Sequence, residues 1–341
     1  MEMKTKIVCI GTASKDILLP INDGLVLETP EDVTAKVKIA FELGAKYQID
    51  DRFEAIGGCA ANVSVGLTRL GMTAYCYSRV GVDQLGKWIV AELDKNGVFT
   101  DLVQVDEVCK SDLSAILVHQ KLEDRVVFFN RDANERLEIH PEQIAGFDWV
   151  FVSALNGNSD ADWTQHLDSI IQTAVNRGIK VILNPGQKNI KDNVIKVLDA
   201  VRHTTILILN KDEAVEIILG GQLGSGESLN DEVFLARTLA AEGPSIVVVT
   251  DGARGAWGYC AEEAWHANSL HENVLDTIGA GDAFTSAFLA GYFSGQPIKV
   301  NLAWGIANSS SSIRFYGAID GLLDRKTLEE RVGQVAVERI G

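Results

Sequence analysis

The sequence is short of basic charge, of paired cysteines, of clustered histidines and of long apolar runs, and each shortage removes a class of function. Lys and Arg number 31 against 47 Asp and Glu, a formal net charge of −16. A nucleic-acid surface needs clustered cations, so no nucleic-acid partner is expected. The same overall field repels phosphate, so a phosphate ligand would have to be held by local dipoles and a metal. The five cysteines, Cys9, Cys59, Cys76, Cys109 and Cys260, are odd in number and form no Cys-x-x-Cys. That spacing favours a reduced, cytoplasmic setting over disulfides or a zinc site. Six scattered histidines give no histidine-built metal centre. No run approaches the roughly 18 apolar residues of a membrane span, and Met1–Lys6 lacks the apolar stretch of a signal peptide. No Gly-x-Gly-x-x-Gly follows the first strand, which weakens a dinucleotide-dependent dehydrogenase.

What is present suffices for a large core: 341 residues, 46% of them hydrophobic. That fits one α/β domain with a small appendage. The chain is organised around Asp276-Thr-Ile-Gly-Ala-Gly-Asp282, which runs into Ala283-Phe-Thr-Ser-Ala-Phe288. Two glycines around one small residue permit a tight turn, and Phe284, Phe288 and Tyr292 then recur on one helical face. A turn opening a helix leaves amide N–H groups unpaired at the positive end of the helix dipole, which is an anion site. Asp282 borders that site. A carboxylate repels phosphate, so it is either a plain helix cap or a base that takes a proton from an attacking hydroxyl.

This segment resembles the C-terminal signature of the ribokinase-like (PfkB) family of carbohydrate and nucleoside kinases. The resemblance implies an ATP- and Mg²⁺-dependent kinase acting on a primary hydroxyl of a sugar or nucleoside. In it Asp282 is the base, and the amides of Gly279, Ala280 and Gly281 stabilise the transferring phosphoryl group. A monovalent cation such as K⁺ near Asp276 and the Ile278 carbonyl is implied as well. The likeness also implies a three-layer sandwich with a central, mostly parallel sheet and a small β lid. Residues 1–341 then form one domain, with a lid from about 17–56 and 107–132 through which two copies can pair.

Other segments fall into the same order. Ile7–Gly11 reads as a buried strand, and Asp16 follows it, either a turn residue or, by resemblance, a grip on sugar hydroxyls. Thr29-Pro-Glu-Asp32 starts like a helix that Val37 and Phe41 would continue, and Tyr47–Ile56 reads as a returning lid strand. Gly57-Gly58-Cys-Ala-Ala-Asn62 matches the family's Gly-Gly-x-x-x-Asn, with Asn62 on the acceptor; helix packing is the structural alternative. Gly81-Val-Asp-Gln-Leu-Gly-Lys87 mimics a P-loop, but Trp88 stands where Mg²⁺ coordination needs Ser or Thr. It resembles instead a structural turn of the family. Leu113–His119 and Arg125–Asn130 read as a hairpin. Arg131-Asp-Ala-Asn134 resembles the family's Gly-Ala-Asn step with Asp132 in place of Gly, which leaves Arg131 as a substrate contact or a surface charge.

From about residue 147 the pattern becomes strand–helix repeats. Strands are expected at Trp149–Ser153, Lys180–Leu183, Ile206–Leu209 and Ile246–Thr250, with helices near 162–177, 189–200, 211–219 and 231–242. Asn210 is either simply the cap of the third of these helices or, by resemblance, a nucleotide-side residue of the family's Asn-x-x-Glu step, in which Glu213 one turn on holds Mg²⁺ through water. Thr250, Gly252 and Gly255 match the family's Thr-x-Gly-x-x-Gly loop along the nucleotide. Asn308 and Gly317-Ala318 fall where relatives enclose the base, on a slightly short segment. A sugar-binding regulator that lost its chemistry would show a damaged base, anion turn or metal step, and all three are intact. The acceptor is expected to be neutral and ribose-like, a free sugar or a nucleoside, with Phe41, Tyr47 and Phe53 as either a nucleobase wall or lid core.

Overall fold

The computed structural model describes residues 5–29, 37–122, 124–157 and 162–340. Continuous β-branched runs such as Ile246–Thr250 cannot expose either face cheaply, so they stack side by side and take helices on both sides. The resulting sheet has nine strands. Its order is Val337–Arg339, Glu263–Ala267, Ala256–Cys260, Ile246–Thr250, Ile206–Asn210, Lys180–Asn184, Trp149–Ser153, Lys6–Ile10 and Thr73–Tyr77. The last six run parallel and the first three antiparallel.

Side-chain alternation divides the core into two layers. Ile7, Cys9, Phe151, Ile182 and Val248 face a layer covered by the helices Cys59–Arg69, Ala280–Phe293 and Ile298–Ser312. Val8, Ile10, Val152, Leu183 and Val249 face a second layer, under the helices Trp163–Arg177, Gln187–Val201, Lys211–Gly220 and Glu232–Ala241. The strands and helices expected after residue 147 therefore appear within one or two residues of their predicted bounds.

A four-stranded lid sheet stands off this sandwich in the order Asp124–Asn130, Leu113–His119, Ser14–Ile21 and Phe53–Gly57. The predicted hairpin at 113–130 is its outer half. Beyond it, Leu25–Glu28 pairs antiparallel with Val37–Ala40. The helix expected through Val37 and Phe41 is thus a strand at Val37–Ala40: β-branched Val37 and Ile39 suit a pleated pairing with Leu25–Glu28 better than a helical turn. Its proposed start, residues 30–32, lies outside the described residues. The returning lid strand begins at Phe53 rather than Tyr47, because Asp50 and Asp51 hydrogen-bond to Gln48 and to the Arg52 amide and divert the chain locally. The P-loop mimic is the structural turn it resembled. Asp83 caps the helix Gln84–Lys95 through the Gly86 amide and also accepts from the Ser111 amide and hydroxyl.

Candidate active site

Two helices of the first layer carry the centre of the site. Asn62 lies in the first turns of Cys59–Arg69 and Asp282 in the first turn of Ala280–Phe293. Their N-terminal ends meet, and the Asn62 Nδ2 donates to Asp282 Oδ2 at 2.8 Å. Cys59, one turn before Asn62 on the same face, hydrogen-bonds to Asp282 as well. Burial pushes the Asp282 carboxyl above the usual aspartate range; the bonds from Asn62 and Cys59 pull it back, and the charge of Asp16 adds to the rise. A carboxyl with a raised pKa is a better proton acceptor once ionised.

The turn before Asp282 requires its glycine. Gly279 has φ +73°, and a Cβ there would stand 2.3 Å from the Ala318 Cβ. Ala318 therefore packs behind the turn, buried, and does not line the cavity in front of it. The Ala280 amide makes a long bond of 3.3 Å to the Thr277 carbonyl, while beside Gly281 there is open space. Asp276 is buried, with Oδ1 accepting from the Ile278 amide at 3.0 Å and Oδ2 from the Gly317 amide at 3.1 Å. Both oxygens are engaged by the protein's own amides, which accounts for the burial of this acid without a cation.

In front of the turn is a cavity of about 750 Å³. Thr250, Gly252, Gly255, Thr277 and Gly281 line it together with the apolar Leu270, Ile306 and Ile313. A concave, mostly apolar pocket with convergent polar groups suits a nucleotide. Asn308, expected on the base, is fully buried instead. Its Nδ2 donates to the Ala283 carbonyl and its Oδ1 accepts from the Leu323 amide, each at 2.8 Å. It clamps two helices together and is absent from the cavity wall.

On the far side of Asp282 the lid supplies a second set of polar groups. Asp16, in Ser14–Ile21, is 5% exposed. Burial raises its carboxyl, Ser114, Arg131 and Ser14 oppose the rise, and Asp276 adds to it. A Cβ on Gly57 would sit 2.1 Å from Asp16 Oδ2, so only glycine lets the carboxylate lie against this strand. Gly58 follows as the cap of the Asn62 helix. Arg131 donates to Ser114 Oγ at 2.8 Å and to the Leu113 and Asn130 carbonyls, which turns it inward beside Asp16 rather than out to solvent. Phe53 stacks on Tyr316 at 4.4 Å and Phe41 packs edge-on against Tyr47 at 5.2 Å. These aromatics pair with one another as lid packing.

Glu213 sits at the carboxyl edge of the sheet. It forms a reciprocal capping box: its Oε2 accepts from the Asn210 amide at 3.0 Å, and Asn210 Oδ1 accepts from the Glu213 amide at 2.9 Å. Burial raises its carboxyl. The Cys59 thiol is raised by burial and, less strongly, by the charges of Asp282 and Glu213. Asn210 itself is exposed and serves as the cap. Sequence reasoning missed Cys59, Asp112 and Arg125 as parts of the site's surroundings; their side chains arrive by tertiary contact, and no motif marks them.

An acid at a glycine turn thus stands between a nucleotide-sized cavity and a set of buried polar side chains from the lid. The chain belongs to the pfkB family of carbohydrate kinases, whose description matches residues 32–325. It is 27% identical over 311 residues to the ATP-dependent 6-phosphofructokinase of Thermoanaerobacterium thermosaccharolyticum, covering 85% of this chain and 89% of the relative. It is 26% identical to the 5-dehydro-2-deoxygluconokinase of Bacillus velezensis, covering 75% and 78%. Its fold matches the Arabidopsis thaliana ribokinase solved with ribose and ATP, at a TM-score of 0.76, 20% identity and coverage of 97% and 99%. Among the described residues no helix is long and apolar enough to cross a membrane.

Proposed function

We propose that this chain transfers the γ-phosphoryl group of ATP to a primary hydroxyl of a neutral, ribose-like sugar, with Asp282 as the base. The observation that supports the reading is the Asn62–Asp282 hydrogen bond at 2.8 Å, which holds a raised carboxyl next to the glycine turn that borders the cavity. Asp282 takes the hydroxyl proton, and the hydroxyl oxygen forms the new bond to phosphorus. The bond from phosphorus to the bridging oxygen breaks, and its electron pair stays on ADP. The Gly279 and Gly281 amides face the developing charge at the helix terminus, where such donors typically supply about 10²–10³ in rate.

Mg²⁺, when bound, neutralises phosphate charge and holds the phosphates in line. Among the described residues no three His, Cys, Asp or Glu converge as a direct cage. Mg²⁺ usually keeps several waters, so the buried acid Glu213 would fit as a partner through water. Thr250, Gly252 and Gly255 serve the nucleotide, and Asp16, Asn62 and Arg131 serve the acceptor.

Acceptor charge is the finer question. The charge of Asp276 acts on Asp16 and that of Asp16 on Asp282, and of the three the guanidinium of Arg131 offsets only Asp16, which favours a neutral polyol over an anion. A second reading, an acidic or phosphorylated sugar, draws on that same Arg131 and on the names of the two curated relatives. A third, a nucleoside acceptor, has less support because the aromatics of the lid are paired with one another. The test is a panel of ribose, other neutral sugars, nucleosides, fructose 6-phosphate and a sugar acid, followed by ADP release. Ribose or a nucleoside is the expected acceptor; turnover of charged sugars alone would replace the neutral reading with the second. On the best acceptor, Asp282→Asn is expected to lower turnover about 10²–10⁴-fold while nucleotide affinity, measured by calorimetry, stays near wild type. Retention of more than about a tenth of the rate would remove Asp282 from its role.

We also infer that two copies pair through the lid. The edge strand Asp124–Asn130 is exposed throughout, with Phe128 and Phe129 at 60% and 68%. A bare strand edge with apolar side chains is a template for another strand.

A further inference from the structure

We propose that Arg125, brought by the lid, is a catalytic residue that neutralises the transferring phosphoryl group; this rests on the kinase reading above. Arg125 belongs to the lid strand Asp124–Asn130, and its Nη1 donates to Thr277 Oγ1 across the gap to the sandwich. Thr277 lines the nucleotide cavity and opens the turn that ends in Asp282. A guanidinium from the lid therefore ends at the mouth of the anion turn, between the donor cavity and the acceptor pocket.

The charges around the cavity single it out. Lys211 pairs with Glu232 at 2.6 Å, and Arg254 pairs with Glu232 and Asp251. Arg314 pairs with Glu272 at 3.5 Å and Arg331 with the same carboxylate. Each of those cations already has a carboxylate partner. Arg125 instead rests on a neutral hydroxyl, with no ion pair among the described residues. A hydrogen bond to an anionic oxygen is roughly twice as strong as one to a neutral partner. A phosphoryl oxygen entering beside Thr277 would take the guanidinium from the hydroxyl. In a chain of net charge −16, the site otherwise offers the phosphates only amides and hydrated metal. Delivering the cation on the lid also ties charge neutralisation to closure, so the reactive arrangement completes only when water is shut out.

The experiment compares wild type with Arg125→Met and Arg125→Lys, using ATP and the best acceptor of the panel. Arg125 is exposed, and thermal melting checks that each variant folds. The expected result for Arg125→Met is a fall in kcat of about 10²-fold or more with acceptor KM changed by less than about threefold. Arg125→Lys should recover part of the rate, and free guanidinium well below denaturing concentration should partly rescue Arg125→Met. A second measurement needs no turnover. Binding of ADP with tetrafluoroaluminate and Mg²⁺, a planar phosphoryl mimic, should weaken at least tenfold in Arg125→Met, while ADP alone binds as in wild type. Unchanged kcat overturns the proposal. So does a rise confined to acceptor KM, which would make Arg125 an acceptor contact, or a loss that neither lysine nor guanidinium relieves, which would make it a lid strut. A wild type that binds the mimic but phosphorylates no acceptor would instead count against the kinase reading, while the binding comparison still decides on Arg125.

Discussion

Asn62 commits its amide nitrogen to the Asp282 carboxylate and leaves its buried Oδ1 without a partner among the described residues. That oxygen is free to accept from a substrate hydroxyl while the nitrogen tunes the base. The hydrogen bond lowers the Asp282 pKa and the charge of Asp16 raises it. A base in the proposed role works ionised, so activity is expected to rise with pH through the Asp282 pKa, with an acid limb above the ordinary aspartate range. Replacing Asn62 by Leu removes a bond to the ionised form, so the limb of log kcat/KM should move to higher pH. Asp16→Asn should move it the other way, because a repelling charge is gone. Limbs that stay put in both variants would mean that the titrating group is not Asp282. At this scale the sequence was a good guide to local geometry, with Gly279 in a left-handed turn and Asp282 in the first turn of the helix it opens. It misdirected at Asn308, whose position suits a base contact but whose two amide ends are both taken by helix packing. Burial of a polar side chain is decided by distant neighbours, which spacing does not encode.

The lid strand Leu113–His119 is anchored by Asp112, fully buried at its start. Its Oδ1 accepts from the Ala133 and Asn134 amides, and its Oδ2 has no partner among the described residues. Burial raises its pKa to about 7, with the nearby charge of Arg131 and the two amides opposing. The folded state thus holds this proton more tightly than the unfolded chain does. Stability is favoured at low pH and is lost as pH rises from the ordinary aspartate pKa to about 7. Asp112→Asn keeps an oxygen for the two amides and cannot ionise. The variant's melting temperature relative to wild type should therefore be higher at pH 8 than at pH 5; an equal difference at both would show that Asp112 does not titrate in this window. The repeated strand–helix half of the chain was legible because its helices are long and periodic and most are locally capped, as Asn210 caps Lys211–Gly220. The lid was less so. Short strands such as Val37–Ala40 draw their conformation from a partner elsewhere, and the helical start before them misled the reading.

At the scale of the whole molecule, the exposed lid edge implies that concentration matters. Sedimentation equilibrium of the wild type should show a dimer, and Phe129→Asp should shift it toward monomer by placing a charge on the pairing strand. A wild type that stays monomeric at every concentration would remove the lid interface. A different consequence follows from where Asn62 and Asp282 lie along the chain, 220 positions apart. At synthesis rates of about 5–20 residues per second, roughly 10–45 s separate the two from emerging. The strands of the first half can pair early and take the helix Cys59–Arg69, but the helices Ala280–Phe293 and Ile298–Ser312 that complete the cover of that layer come only near the end. A nascent chain therefore carries an uncovered apolar surface for most of its synthesis. It depends on the last quarter of its own sequence both to hide that surface and to acquire its chemistry, so premature termination would release a sticky, inert fragment rather than a weak enzyme.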